Sequence, residues 1–335
     1  MDILNALVAF LNFVFIPAAA YGAQLALGAL GVTLIYGILR FSNFAHGDTM
    51  AFGTGIVILL TWGLQVLGIG LGPLPTALLA LIPGIALTAL FVLLTDRLVY
   101  KFYRVKKSPP IILVMASVGV MFVMNGLTRL LIGVDDINFD DGTRFVINVR
   151  DFREWSGLQE GLALRQTQLL TVVVALLVMW ALFWFLNRTR SGKAMRAYSD
   201  NEDLALLSGI DPERVVRLAW IIAAALMVIA GTLYGLDKTF KAFNYFQILL
   251  PIFAAAIVGG LGSPLGAIAG GFVVAFSEVA ITYPWVKVAG YLFPNWQPDG
   301  LLQLMSTEYK FAVSFVILIV VLLFKPTGLF RGKSV

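Results

Sequence analysis

Apolar runs of about 20 residues recur along this chain, and at about 1.5 Å per residue each is long enough to cross roughly 30 Å of hydrocarbon. Mean hydropathy is +0.89. Of the 335 residues, 59% are apolar and only 13% are charged, which is too little polar surface for a water-soluble domain of this size. An all-α polytopic membrane protein is therefore expected. An outer-membrane barrel would read instead as alternating segments of roughly 10 residues. Spans are expected at 3–20, 21–40, 48–68, 74–100, 109–133, 167–187, 214–236, 246–261, 264–283 and 309–324. That makes about ten (range roughly 8–10), within a single transmembrane domain covering 1–335. Ala18-Ala19-Ala20 resembles a signal-peptidase site, but Asp2 and the lack of a basic residue before it favour a retained helix. The short span at 246–261 opens near Pro251, so a re-entrant or broken segment is expected there.

Composition removes several function classes. The chain has no cysteine, hence no disulfide, thiolate nucleophile or cysteine metal site, and its single histidine excludes a histidine-rich metal centre. The net charge of +5 is not a nucleic-acid signature, because the basic residues sit at helix ends and in loops. No loop exceeds about 35 residues, short of a soluble catalytic domain. No acid, base and nucleophile converge, so no catalytic residue is assigned.

Orientation follows from Lys and Arg near the helix ends. Arg97, Lys101, Arg104, Lys106 and Lys107, then Arg188, Arg190, Lys193, Arg196, Arg214 and Arg217, then Lys325, Arg331 and Lys333 fall on one face if the spans alternate. That face is expected to be cytoplasmic, with the C-terminus on it. The opposite face holds the loop 134–166, with Asp135, Asp136, Asp140, Asp141, Asp151, Glu154 and Glu160. Ten spans place both termini inside; an interfacial first segment would move the N-terminus outside.

The two halves share a theme, an apolar helix ending in a small-residue turn that leads into a small-residue helix. The first instance is Phe41-Ser42-Asn43-Phe44-Ala45-His46-Gly47, and the second is Gly259-Gly260-Leu261-Gly262-Ser263-Pro264. Related halves meeting at a midplane site are common in transporters. The glycines suit close helix packing, as in Gly266-x-x-x-Gly270 and Ala267-x-x-x-Gly271. They do not make a nucleotide loop, since they follow an apolar helix rather than a strand. Gly332-Lys333-Ser334 is half a P-loop without the upstream glycine, so any ATP must be held by another chain.

In the loop 188–213, Ser199-Asp200-Asn201-Glu202 reads as a capping box that opens a short helix from Asp200 to Ser208, with Leu204 and Leu207 on one face and Gly209 as its stop. Asp211-Pro212 then caps the next span. A partner-docking helix and a solvated connection are equally compatible with this spacing. His46 at the helix junction, with Asp48 two residues on, reads as a structural turn histidine in preference to a proton relay. Glu278 is the most deeply embedded carboxylate; it either receives a cation or ammonium group or ties two helices together. Asn125 and Arg129 read as the outer end of their span.

Asn43-Phe44-Ala45-His46-Gly47 resembles the N-F-A-H-G signature of permease subunits of branched-chain amino acid ABC transporters. Gly192-Lys193-Ala194-Met195-Arg196-Ala197, followed by Leu206-Leu207-Ser208-Gly209-Ile210, is similar to that family's cytoplasmic loop. Gly259-Gly260-Leu261-Gly262-Ser263 with Gly266-Ala267, Ser306 to Lys310, and Phe324-Lys325-Pro326-Thr327-Gly328-Leu329-Phe330 resemble its later motifs, in the family's order. Two departures are Asp48, where the family commonly has Glu, and a longer, more aromatic outer segment at 284–308.

The resemblance implies an importer subunit in the bacterial inner membrane. Its partners would be a second related permease, two cytoplasmic ATP-binding subunits and a periplasmic binding protein, with ATP and Mg held by the ATP-binding subunits and no cofactor by this chain. Gly192, Lys193, Ala194, Arg196, Leu204, Leu207, Gly209 and Ile210 would then form the ATPase-coupling loop. Asn43, His46, Gly47, Asp48, Gly259, Gly260, Gly262, Ser263 and Glu278 are the pathway or helix-junction candidates. Urea and short-chain amide permeases are closely similar. A self-sufficient secondary transporter or channel is the alternative of a different class, and a membrane enzyme ranks third.

Overall fold

The computed structural model describes residues 2–139, 144–293, 300 and 302–330. Asp140 and Asp141, part of the aromatic 284–308 segment, and the tail from Arg331 with its Gly332-Lys333-Ser334 lie outside the described residues. The helices in chain order are α1 (Asp2–Phe10), α2 (Ile16–Leu39), α3 (His46–Val66), α4 (Ala77–Thr95), α5 (Lys101–Val105), α6 (Pro110–Ile132), α7 (Val149–Ser156), α8 (Gln166–Arg188), α9 (Arg190–Asp200), α10 (Glu202–Leu207), α11 (Pro212–Asp237), α12 (Ala242–Gly259), α13 (Pro264–Thr282), α14 (Val286–Leu292) and α15 (Lys310–Phe324). A short antiparallel pair, β1 (Phe145–Ile147) and β2 (Leu164–Arg165), brackets α7. Among the described residues nine helical runs are long and apolar enough to cross a membrane.

Nine rather than ten results from the start of the chain. The expected spans 3–20 and 21–40 form one run of 38 residues, Asp2–Leu39, about 57 Å long. No turn separates them. Pro17 stands at the start of α2, and the π-helical turn Leu11–Phe15 just before it keeps the helix continuous. The expected break in 246–261 is likewise absent, since α12 carries Pro251 inside an unbroken helix.

The excess length of the first helix lies on the acidic-loop face. There α1 packs against α14, and the Asn5 side-chain oxygen accepts from the backbone N–H groups of Gln159 (3.1 Å) and Glu160 (3.2 Å). Glu160 is itself buried and accepts from Lys287 Nζ (3.0 Å) and the Tyr291 hydroxyl (2.7 Å). Burial alone would raise the Glu160 carboxyl, but the bonds from Lys287 and Tyr291 outweigh it and hold the group below the usual carboxylate range. Its contribution to stability is therefore complete above the unfolded value of about 4.3 and is lost as pH falls through the lower folded value. The thermal midpoint of the solubilised protein is expected to be flat above about pH 4.3 and to drop below it, with a smaller drop in Lys287→Met.

Two sets of four helices share a pattern of neighbours. In one, α3 packs on α4 and α6; in the other, α12 packs on α13 and α15. Across the sets, α2 packs on α13 and α12 as α11 packs on α4 and α3, and α2 meets α11 at the centre. Because the spans alternate, α2 and α11 run in opposite senses, so the sets are inverted relative to each other. The correspondence is looser at α6, which meets the π turn after α4, whereas α13 packs on α15 directly. α8 belongs to neither set and links them. This revises the pairing suggested by the sequence: the Asn43 turn and the Gly259 turn both lie at the basic face but are not counterparts. By packing, the Asn43 turn corresponds to the α11–α12 connection, and the Gly259 turn to the α3–α4 connection.

Candidate functional site

Between α2 and α3 the chain turns at the basic face, with Arg40 exposed and Phe41, Asn43 and Ala45 buried. Arg40 ends α2 in the left-handed region (φ 58°) and its guanidinium donates to the Ser199 carbonyl at 2.5 Å. Asn43 is buried; its Oδ1 accepts from the Ala45 N–H (3.2 Å) and the Tyr100 hydroxyl (3.2 Å). The Phe44 N–H donates to Ser117 Oγ (3.1 Å) and the His46 N–H to the Asn43 carbonyl (3.2 Å). The turn is thus held by the Tyr100 hydroxyl after α4 and by Ser117 on α6, so that α3 starts within the protein.

His46 is fully buried, its ring laid on the bare backbone of Gly31 and facing the backbone of Gly28. Gly47 lies against the Tyr245 carbonyl and Leu249 of α12. The ring fills a gap between helices. Asp48 is 1% exposed, and its Oδ1 accepts from Asn125 Nδ2 at 2.7 Å, with the charge of Arg129 nearby. Asn125 and Arg129 therefore do more than end a span; they supply the partner for a buried carboxylate. The space around Asn43, Thr49, Tyr100, Trp220 and Met227 is a void of about 10 Å³, too small for any solute beyond a single water.

The Gly259 turn is a second close approach. Ser263 caps α13, its Oγ accepting from the Gly266 N–H at 3.2 Å. Gly259 and Gly266 meet backbone to backbone, and Gly270 lies on the Ala255 carbonyl of α12. Behind this turn the chain after α15 returns: the Leu329 and Phe330 N–H groups donate to the carbonyls of Val258 (2.8 Å) and Gly259 (3.0 Å). The closing Lys325 to Phe330 stretch thereby satisfies carbonyls that a helix end leaves open.

Glu278 sits on α13, 12 residues or about 18 Å beyond Gly266, and so is not part of that turn. It is 1% exposed, accepts from Ser314 Oγ on α15 and faces the Tyr21 hydroxyl of α2, with Lys310 close by. Lys310 also lies over the Tyr21 ring, 5.8 Å from its centroid. With Ser314 on one side and Tyr21 on the other, Glu278 ties α15 and α2 to α13, which favours the helix-tying reading. Glu278→Ala would leave the Ser314 hydroxyl unsatisfied, at about 1–3 kcal/mol. A lowered thermal midpoint is expected for Glu278→Ala, with Glu278→Gln near the parent. A raised uptake KM in Glu278→Gln would instead make it a solute ligand.

At the basic face the loop folds into two helices, one more than expected. Thr189 caps α9, its Oγ accepting from the Gly192 N–H at 3.0 Å, and Gly192 lies against the Phe185 carbonyl, where no side chain fits. The cap of α10 is Asn201, which accepts from the Leu204 N–H at 3.0 Å, rather than the expected Ser199. Ser199 and Asp200 end α9 instead, and Glu202 turns back to the Tyr198 hydroxyl at 2.7 Å. Burial and that carboxylate push the Tyr198 hydroxyl well above the ordinary tyrosine value. Gly209 ends α10 at φ 78°, and Asp211 caps α11 at 2.9 Å, both as expected. Ile210 packs on the core, whereas Leu204 and Leu207 are 61% and 84% exposed. Lys193 and Gly209 are exposed, Ala194 is half-buried, and Arg196 donates to Asn187 Oδ1 at 2.9 Å. Arg196 also shares the wall of a cavity of about 160 Å³ with Thr33, Met195 and Gly262, so the loop and the Gly259 turn are brought together there.

The sequence reading passed over one cluster. Asp96 opens a π-helical turn, Asp96–Tyr100, between α4 and α5 and is 5% exposed. Its Oδ1 accepts from Arg104 (2.8 Å) and from the Trp220 indole N–H (2.8 Å), and its Oδ2 from Arg104 (3.2 Å). The signal was a lone acid at the end of an apolar run, with an arginine eight residues on.

Among the described residues no three His, Asp or Glu side chains converge as metal ligands would. The family model described as branched-chain amino acid transport system / permease component matches residues 15–322. The chain is 29% identical to the high-affinity branched-chain amino acid transport system permease protein LivH of Escherichia coli (strain K12), over 94% of this chain and 93% of that protein. It is 28% identical to BraD, of the same description, from Pseudomonas aeruginosa, over 94% of each. A shorter match, 30% identical over 42% of this chain and 36% of the relative, is to the E. coli permease protein LivM. With helices apolar enough to span a membrane and a family match running through nearly all of them, the chain belongs to the branched-chain amino acid transport system permease family.

Proposed function

We propose that this chain is one of two related translocation subunits of an ATP-binding-cassette importer for branched-chain amino acids. Two separate cytoplasmic ATP-binding subunits drive it, and a periplasmic binding protein supplies it. The basic face is the cytoplasmic one, a reading supported by the lysines and arginines at the helix ends, with the C-terminus inside and α1 outside the bacterial inner membrane. The match to LivM, alongside the longer match to LivH, supports a second permease of related sequence.

The observation that carries the reading is α10. Leu204 and Leu207, three residues apart on one helix face, are exposed while Ala205 packs inward at 3% exposure. Apolar side chains grouped on the cytoplasmic side of an otherwise charged loop fit an ATPase groove. Nucleotide then acts by favouring one arrangement of the helices over another, and the chain performs no covalent chemistry.

The test is mild-detergent purification of the tagged protein from its native host, with mass spectrometry of what accompanies it. An ATP-binding subunit and a second permease are expected. Liposomes holding the complex are expected to take up leucine, isoleucine or valine in preference to urea or acetamide, and only with ATP. Uptake by the chain alone, without ATP, would overturn the reading.

A further inference from the structure

Three ionisable or polar side chains on the α4–α5 stretch, Asp96, Tyr100 and Arg104, lie four residues apart. On an α-helix such residues drift by about 40° per step, so the first and last would point about 80° apart. The π turn at Asp96–Tyr100 widens the helix and brings all three toward α11 and the Asn43 turn. From Arg104 the contacts run in two directions. Toward the basic face, Arg104 lies 3.7 Å from Glu213 at the start of α11, and Glu213 also takes Lys101 at 3.0 Å. Glu213 follows α10 by only a few residues, and its N–H is fixed by Asp211. Inward, Arg104 grips Asp96 through both carboxylate oxygens, and Asp96 holds the Trp220 indole. The Tyr100 ring stacks on Trp220 (5.3 Å between centroids, 17° between planes), and its hydroxyl reaches Asn43. Asp96 is 5% exposed, and a buried carboxylate is costly to keep for stability alone.

We propose that Asp96 and Tyr100 are positioning residues for transport: they tie the loop facing the ATPase to the Asn43–Asp48 helix break, so that a shift of α10 is passed to the start of α3. This rests on the docking reading above. The chain of contacts is unbroken from Glu213 to Asn43, and each link is a hydrogen bond, ion pair or ring stack. Tyr100 reaches Asn43 through its hydroxyl while its ring packs on Phe41 (5.3 Å between centroids), so Tyr100→Phe cuts the hydrogen bond to Asn43 and keeps both ring contacts and the volume. Asp96→Asn keeps an acceptor for Trp220 and removes the charge that holds Arg104.

The experiment compares parent, Tyr100→Phe, Asn43→Ala, their double variant and Asp96→Asn as full importer complexes in liposomes. It reads co-purified ATPase, ATP hydrolysis and solute imported per ATP. Tyr100→Phe and Asp96→Asn are expected to keep ATPase association and basal hydrolysis within about twofold, while solute per ATP falls about tenfold, a coupling loss of about 1.4 kcal/mol. The double variant is expected to be no worse than the worse single one. An unchanged transport ratio, or loss of transport and assembly in equal measure, would overturn the proposal. A second readout is amide hydrogen exchange at residues 43–48 of the isolated permease, expected to quicken in both Tyr100→Phe and Asp96→Asn. If the parent carries no ATPase, the docking reading fails, and unchanged exchange at 43–48 still overturns the link itself.

Discussion

Replacing Gly259 or Gly270 by valine is expected to leave almost no folded protein in the membrane. At both positions a Cβ would strike main chain: Gly259 faces the carbonyl of Gly266, and Gly270 the carbonyl of Ala255 and the amide nitrogen of Gly259. Overpacking a core usually costs about 1–3 kcal/mol, because neighbouring side chains give way. Here two helix backbones are in contact, and relief requires moving α12 or α13 as a whole. The returning tail, bonded to the Val258 and Gly259 carbonyls, would be displaced with them. The yield of monodisperse protein is expected to fall at least about tenfold. Gly63→Ala and Gly119→Ala serve as comparisons, since a Cβ at either meets nothing within 4 Å. Parent-like yield from both valine variants would mean that α12 and α13 do not pack as described.

The spans were legible because apolar length is a property of composition, and lipid demands it wherever a helix crosses. What was illegible depended on contacts between distant segments. Asn125 and Asp48 are 77 positions apart, and nothing near either announces the 2.7 Å bond between them. Asp96 is hidden for a similar reason: its partner Trp220 is 124 positions away, and its other partner Arg104 reads in the sequence as one of the basic residues that orient the chain. The first helix was misread because two span-lengths of apolar sequence look alike whether or not the chain turns between them. Only α1 packing on α14 and the Asn5 contacts to the outer loop decide it.

Local signals fared better where backbone chemistry is strict. Gly209 and Asp211 act as expected because a left-handed residue and an exposed helix N-terminus leave few alternatives. Ser199 failed as a cap because Asn201, two residues later, offers the same chemistry, and α9 extends through Asp200 to meet it. The inverted arrangement of the two helix sets is also hidden in the sequence, since an inverted copy preserves the order of helices but places corresponding turns on opposite faces.

Leu207→Asp is expected to detach the ATP-binding subunits and abolish uptake while the permease itself inserts and folds normally. Leu207 is 84% exposed, so the permease loses no packing when it is replaced. Under the proposed docking, the effect comes from the ATP-binding subunit that covers α10. An apolar anchor at the centre of an interface is worth about 2 kcal/mol or more, roughly a thirtyfold change in affinity, and an aspartate adds the cost of desolvating a charge in a groove shaped for leucine. Leu207→Met, similar in volume and apolar, is expected to keep both association and uptake. Arg196→Glu is a less clean probe of the same docking, because Arg196 also holds Asn187 at the end of α8, and its loss disturbs the α8–α9 turn directly. The measurement is the amount of ATP-binding subunit recovered per permease for the three variants, beside leucine uptake in membrane vesicles. Full recovery with Leu207→Asp would place the ATPase contact somewhere other than α10. Loss with Leu207→Asp and retention with Leu207→Met would assign the docking to that exposed leucine face.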